Sequence, residues 1–479
     1  MTGKLREHYK RAVLSDDQGP SGSRDELDQT VDPTLLNYYR MPGDSFPRQT
    51  TAADCASGEG GFFQFGEGIV CFGRSESGTA EAVAGSAKFP VSIHVGCNGH
   101  STRLPFSFAE VIENLRLEHY RRNTVHGWES LAAIQPVHKL YYRMRGCLPT
   151  AVRRQLQRIY LRDWRKLQFP SWPVDFTVDR LHEEYLRLSM EAHGLHKVPF
   201  IWFWPDGATN CLIMTHDVET LAGRNFTSQL MNLDNSFGFK SSFEVIPEDR
   251  YEVPDSYVDE IRERGFEFNL HDLNHDGNLY RERREFLRRA AKINGYVRRY
   301  NARGFRAGSM YRNQDWYDAF EFSYDMSVPN VAHLDPMRGG CCTVMPYFVG
   351  RILELPAVTS QDYSLFHIMR DYSIDLWKQQ LALIRERNGL MSFITHPDYL
   401  IERRARKVYE SLLAYLRQMI ERGGIWTALP GEVDLWWRSR SQMQLVPQGD
   451  DWKVVGPLYE KARVAYAIRE RDRLVYELA

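Results

Sequence analysis

Cysteine is sparse and poorly placed for chemistry. The chain has seven cysteines in 479 residues, an odd number without a Cys-x-x-Cys pair. Cys341 and Cys342 are neighbours, which is poor spacing for a structural zinc site. A disulfide framework is therefore not expected, and the thiols read as reduced and the protein as cytoplasmic. An excess of one charge is also missing: 61 Lys and Arg face 62 Asp and Glu, a net charge of −1. Nucleic-acid binders usually carry a clear basic excess, so no nucleic-acid partner is expected. No apolar run reaches the roughly 18 residues a membrane-spanning helix needs. The opening MTGKLREHYKRAVLSDD lacks the apolar core of a secretory leader.

What is present fits a globular chain, with 43% hydrophobic and 26% charged residues. Its length implies more than one domain. Residues 1–47 are polar, with SDDQGPSGSRDE as a flexible piece and LLNYYRM as the part ready to dock. Residues 48–198 open with FFQFG, a Glu67-Gly68 turn and IVCFGR, followed by FPVSIHVG, which reads as an accessory β-rich region. PFSFAEVIENLRLEHYRR then spaces Phe108, Val111, Ile112 and Leu115 along one helix face. Residues 441–479 return to hairpin-like runs that could complete the accessory region.

Residues 139–169 are the most basic part of the chain. After Pro149, Val152, Leu156, Ile159 and Tyr160 recur at helical spacing, with arginines opposite. Two readings stand side by side. The helix packs on a domain with its arginines solvated, or it lies on an anionic membrane surface.

From about residue 199 the rhythm becomes strand then helix, a βα pattern. Candidate strands are NCLIMTH, SSFEVIP, FEFNLH, GFRAG, FSYDMS, RILELPA, MSFITHP and IWTALPG, with helical runs such as REFLRRAAKINGYVRRY between several of them. Eight such strands predict a (β/α) barrel over 199–440 or an open parallel sheet. Their C-terminal ends carry the polar residues. Leu212-Ile213-Met214 runs into Thr215-His216-Asp217-Val218-Glu219. Carboxylates two apart on a strand share a side and repel unless a cation joins them. Strand three ends in His271-Asp272-Leu273-Asn274-His275, strand four in Arg306, and strand five in Tyr324-Asp325. Strand six leads to Gln361-Asp362, and strand seven ends in Thr395-His396-Pro397-Asp398. Alone, a His-x-x-x-His pair is more often a satisfied polar pair at the core edge, and an acidic pair more often a helix cap. Converging on one barrel face, they make a set for metal-assisted amide hydrolysis.

These motifs resemble the polysaccharide deacetylase, or NodB-homology, family (carbohydrate esterase family four-like) over about residues 199–440. Thr215-His216-Asp217-Val218-Glu219 is similar to the family's Thr-Phe-Asp-Asp, with the acids spaced as in Asp-x-Asp members. GFEFNLHDLNHDG resembles the His-(Ser/Thr)-x-x-His segment, and FRAGSMYRN matches the Arg-Pro-Pro-Tyr motif only at Arg306. FITHPDY is similar to the last motif. The resemblance implies a distorted barrel of this type. It implies Asp217 as base and Glu219, His271 and His275 as ligands of Zn²⁺ or another divalent transition metal. It also implies Arg306 pairing with Asp217, and His396 as acid supported by Asp362, with Asp398 as competitor. The implied activity is metal-dependent hydrolysis of carbon–nitrogen, non-peptide amide bonds. The implied substrate is an N-acetylated glycan or glycan precursor. Hydrolysis of another small amide, or a non-catalytic glycan-binding scaffold, are the alternatives.

Overall fold

Asn210–Val218 forms strand β1, and all nine of its residues are buried. A strand covered on both faces belongs inside a parallel sheet. Seven more parallel strands follow in chain order: β2 Ser242–Val245, β3 Glu267–His271, β4 Gly304–Arg306, β5 Tyr324–Asp325, β6 Ile352–Glu354, β7 Leu390–Thr395 and β8 Ile425–Thr427, and a ninth, Tyr347–Val349, adds to the sheet antiparallel to β6. The strands β1 to β8 pair in parallel, in the order β6-β5-β4-β3-β2-β1-β7 with β8 joined to β1. The computed structural model describes residues 32–42, 60–66, 68–75, 96–98, 101–123 and 150–479. Residues 15–26, which the composition reads as flexible, most of FPVSIHVG and residues 139–149 of the basic segment lie outside them.

The sheet curls until the chain beyond β6 meets β7. There Val358 N donates to Ser392 Oγ at 2.7 Å and Thr359 N to Ser392 O at 3.3 Å. This is the distorted barrel that the strand count predicts. The distortion sits at β8. In a regular eight-stranded barrel the last strand lies between its predecessor and the first. Here β7 pairs directly with β1 along Cys211–His216, and β8 meets only Asn210–Leu212.

Five helices connect the strands: α1 Leu221–Ser236, α2 Asp255–Glu263, α3 Arg283–Tyr300, α4 Asp375–Arg385 and α5 Arg403–Glu421. Thr220 caps α1 by accepting from Gly223 N at 3.1 Å. On α5, Ala405, Val408, Leu412, Leu416 and Met419 are buried, a stripe of helical period that faces the sheet.

Ahead of the barrel, Gly61–Phe65 and Ile69–Gly73 form a hairpin. Helix Phe108–Arg116 buries Phe108, Val111, Ile112 and Leu115, the face its spacing predicts. Helices Thr150–Leu161 and Thr177–Ala192 follow. The tail makes two hairpins, Gln444–Gln448 with Asp451–Val455 and Val464–Glu470 with Arg473–Leu478. The second pairs with Lys197–Ile201, just before the barrel, and not with the hairpin at 61–73. Arg440, 2% exposed, gathers these pieces. Its Nε donates to Trp202 O at 3.0 Å, and its Nη2 to Ile201 O at 2.7 Å, Tyr38 O at 3.1 Å and Tyr39 O at 3.2 Å.

The apolar residues of helix Thr150–Leu161 do not pack as the first reading of that segment requires. Val152, Leu156 and Ile159 are 42, 42 and 52% exposed. Among the described residues no helix is long and apolar enough to cross a membrane.

Candidate active site

Parallel strands deliver their C-terminal ends to one edge, where βα loops build active sites. Asp217 is the penultimate residue of β1, and Glu219 lies just beyond it. His271 ends β3, and Arg306 ends β4. His396 follows β7, and Asp362 lies in the segment after β6. Residues 217 to 396 in the chain thus meet at one place.

Glu219, His271 and His275 present carboxylate and imidazole atoms that all lie within 4.8 Å of one another. Glu219 Oε1 is 2.9 Å from His275 Nε2 and 3.6 Å from His271 Nε2. His271 Nδ1–H donates to the Arg306 carbonyl at 3.1 Å, which leaves the Nε2 lone pair facing the cluster. Both buried Nε2 atoms lack a hydrogen-bond partner. Buried polar atoms are normally satisfied, so two orphaned imidazole nitrogens beside a carboxylate oxygen fit a divalent cation. Burial alone would raise the Glu219 carboxyl, but His275, His271 and His396 outweigh it and hold it well below the usual carboxylate range. His275 is reached by a tight turn in which Asp272 and His275 both have positive φ, 56° and 55°. Gly308 lies against that turn: a Cβ there would stand 2.5 Å from Asp272 Oδ2 and 2.8 Å from His275 Cδ2. Asp272 itself caps the turn, accepting from Leu273 N at 2.7 Å.

Asp217 is gripped by Arg306, with Nη1 2.5 Å from Oδ1. The same Nη1 lies 2.9 Å from Thr215 Oγ1 and 3.5 Å from Glu244 Oε2. Burial favours the neutral acid at Asp217, but Arg306, then His271 and His396, pull its pKa below the usual range. Glu244 goes the other way: burial raises it, and the nearby Asp217 adds to that. Arg306 pulls Glu244 down too, but there burial together with the Asp217 charge outweighs it, so Asp217 is the acid held ionised. Glu244 escapes sequence reading. Its only signal is an acid at the centre of the apolar strand Ser-Phe-Glu-Val, where it accepts from His216 N at 3.1 Å and Ser242 Oγ at 2.5 Å.

His396 is anchored twice by Asp362. The carboxylate accepts from the imidazole Nδ1–H at 2.6 Å and from the His396 backbone N–H at 2.8 Å. Burial acts to lower the imidazole pKa, but Asp362 and Glu219 overcome it and hold the ring protonated well above its ordinary range. Its Nε2 lies 3.5 Å from Glu219 Oε1. Tyr399 stacks on the ring at 4.7 Å and 26°, a neighbour that sequence reasoning missed. Asp398, the competitor for the supporting role, makes no hydrogen bond to His396. Its pKa rises to about 6, chiefly through burial. His216 points to the opposite side of β1 from Asp217, where its Nε2 lies 2.9 Å from Asp234 Oδ2 and its Nδ1 2.7 Å from Thr395 Oγ1. Asp325 also stays apart: it accepts from Tyr317 Oη at 2.7 Å and from Ser327 N at 2.9 Å.

A cavity of about 320 Å³ opens past the histidine turn, between the barrel and the end of helix Phe108–Arg116. Gly277, Tyr280 and Arg281 line one side, Tyr311 and Asn313 another, and His119 the accessory side. Glu118, Arg121, Arg312 and Asp315 also line it, and none of Asp217, Glu219, His271, His275, Arg306 or His396 does.

No family model matches the chain, and no curated protein matches it. Among solved structures it is similar to a protein from Mycobacterium smegmatis assigned to the polysaccharide deacetylases, with 17% identity and TM-score 0.41 over 52% of this chain and 98% of that one. It is also similar to PuuE allantoinase, with 10% identity and TM-score 0.39 over 49% and 92%. A further match is a CE4-family pseudoenzyme from Bacillus anthracis, with 14% identity and TM-score 0.31 over 47% and 65%. The residues above stand on their own geometry.

Proposed function

We propose that this chain is a metal-dependent hydrolase of non-peptide carbon–nitrogen amide bonds that deacetylates an N-acetylated sugar. One observation carries the reading. The donor atoms of Glu219, His271 and His275 cluster within 4.8 Å, and both imidazole Nε2 atoms lack a hydrogen-bond partner. Zn²⁺ or another divalent transition metal, held by these three residues, would supply a Lewis acid for the amide carbonyl and for water.

The remaining chemistry belongs to the chain. Asp217, kept ionised by Arg306, accepts a proton from the water whose oxygen bonds to the acyl carbon. His396, anchored on Asp362, gives its Nε2 proton to the departing nitrogen as the C–N bond breaks. Acetate and a free amino sugar leave. The proton on Asp217 then passes to solvent, and His396 takes one back.

The test combines metal analysis with product release. Wild-type protein loaded with Zn²⁺ is expected to retain about one ion per chain. It is also expected to release acetate from a panel of N-acetylated sugars and their oligomers. His275→Ala is expected to lose the ion, and undiminished metal in that variant would sink the ligand set. Metal binding with no acetate from any sugar, but hydrolysis of small cyclic amides, would transfer the site to the other substrate class.

A further inference from the structure

Ser309 and Met310 stand in the left-handed backbone region without being glycine, at φ 56° and 55°. Such a conformation persists only where the surroundings over-determine it. The turn that contains them, Gly308–Met310, starts just past β4 and touches both halves of the site. At one end Gly308 lies against the histidine turn, where a Cβ would stand 2.8 Å from His275 Cδ2. At the other end Met310 is buried in a small apolar cluster with Ala357 and Ile394, apart from the main core. Ile394 belongs to β7, and His396 follows that strand. A shift of this turn would therefore reach a proposed ligand and the strand that leads to the proposed acid.

What fixes the turn is not local. Its own bonds are Met310 N to Ala307 O and Tyr311 N to Gly308 O, both at 3.2 Å. The Met310 carbonyl is held by Arg312, whose Nη1 donates to it at 2.8 Å and to Met337 O at 3.3 Å. The rest of that guanidinium forms a fork on Glu118. Nε lies 2.6 Å from Oε2 and Nη2 2.5 Å from Oε1. Glu118 lies just past helix Phe108–Arg116, in the accessory region, 194 residues from Arg312 in the chain. The two side chains are 2 and 1% exposed. Glu118 is itself confined: its φ is 59°, and its Oε1 also accepts from Gly340 N at 2.5 Å. A buried ion pair is a weak source of net stability, because both charges lose their water. Here it supplies direction, since the fork on Glu118 leaves Nη1 aimed at the carbonyl beside the site.

We propose that Glu118 and Arg312 are positioning residues for the metal site, through which the accessory region holds the Gly308–Met310 turn against His275 and β7. The inference rests on the hydrolase reading for its effect on rate, and on the ligand set for its effect on metal. It gives residues 48–198 a task in the chemistry beyond bracing the barrel.

The test measures Zn²⁺ affinity of the full chain by chelator competition, and kcat and KM on an N-acetylated sugar that the wild type hydrolyses. Arg312→Lys keeps a cation for Glu118 but has no fork to span Glu118 and Met310 O. It should bind Zn²⁺ about 10-fold or more weakly and lower kcat by about 10- to 100-fold, with KM little changed. The double variant Glu118→Leu with Arg312→Met removes both charges together, so no buried charge is left unpaired. It should show the same losses, whereas a pair that only braced the fold would leave both readouts where they were. Glu183→Gln breaks another tie between the accessory region and the barrel, the 2.6 Å contact with Arg387. Arg387 precedes β7, at the end of the barrel opposite the site, so this variant should match wild type. Thermal melting followed by circular dichroism checks that each variant is folded. The affinity readout needs no turnover. Equal Zn²⁺ affinity in wild type and the double variant overturns the inference alone, as does an equal loss in Glu183→Gln. A wild type that retains no Zn²⁺ overturns the hydrolase reading and this inference with it.

Discussion

His396 is fixed by one carboxylate at two points, and its protonation follows from that contact. The sign of the pH effect is definite. Its folded pKa lies above the ordinary imidazole value, so the stability it contributes is full below about 6.5 and is lost as pH rises through the folded value. The proton needed for the leaving amine disappears over the same window. Asp362→Asn should therefore move the alkaline limb of the rate profile to lower pH and cut kcat by about 10²- to 10⁴-fold. A pH–rate profile unchanged in shape would refute this. Asp217 sets the other limb: its depressed pKa contributes stability above about 3.9, lost as pH falls through the lowered value. Gly308 offers a steric test, because any Cβ there meets the histidine turn. Gly308→Ala should weaken Zn²⁺ affinity by about 10- to 100-fold, measured by chelator competition. The choice between Asp362 and Asp398 was open in the sequence because the chain after β6 has no periodicity to say where it turns back. Glu244 was hidden because one acid in a short apolar strand looks like a core exception until Arg306 is seen beside it.

At the scale of elements, β1 and β7 were plain to read because long buried runs of β-forming residues leave few alternatives. β5 and β6 are shorter, with two and three paired residues, and were found through the rhythm of the whole repeat. That β8 fails to enter between β7 and β1 depends on pairing across more than two hundred residues, which no local pattern encodes. Helix Thr150–Leu161 shows the complementary limit: periodicity identifies an apolar face but not what it faces. Arg440 is the element-scale device to test. Its fork meets backbone carbonyls of two segments, Tyr38-Tyr39 and Ile201-Trp202, and burial followed by repulsion from Arg40 lowers its pKa to about 9. Arg440→Ala leaves those carbonyls without their donor and should cost about 3 kcal/mol in urea unfolding. A change within about 0.5 kcal/mol would mean water replaces the guanidinium freely.

For the whole molecule, one hydrophobic cluster runs from Leu35 through the barrel to Ala467. The tail is part of it: Tyr476 meets the Tyr39 hydroxyl at 2.7 Å and packs against Phe200 at 5.3 Å. Removing residues 464–479 strips Lys197–Ile201 of its sheet partner. The truncated chain should lose its single cooperative thermal transition, and an unchanged melting curve would contradict this. Zn²⁺ should act globally as well. At 100 times its Kd, a ligand bound only by the folded state adds about 2.7 kcal/mol, so wild-type Tm should rise with Zn²⁺ and that of His275→Ala should not.

The Arg306 carbonyl accepts from His271 Nδ1 and also from Asp272 N, at 3.1 and 2.7 Å, while its side chain holds Asp217. One residue would thus serve the proposed ion through its main chain and the proposed base through its side chain. Point substitution reaches only the second. Arg306→Gln should keep its metal and lose its turnover, so inheritance can separate the two traits. A lineage could abandon the reaction and still carry the ion, and metal content alone would then misreport which descendants remain enzymes.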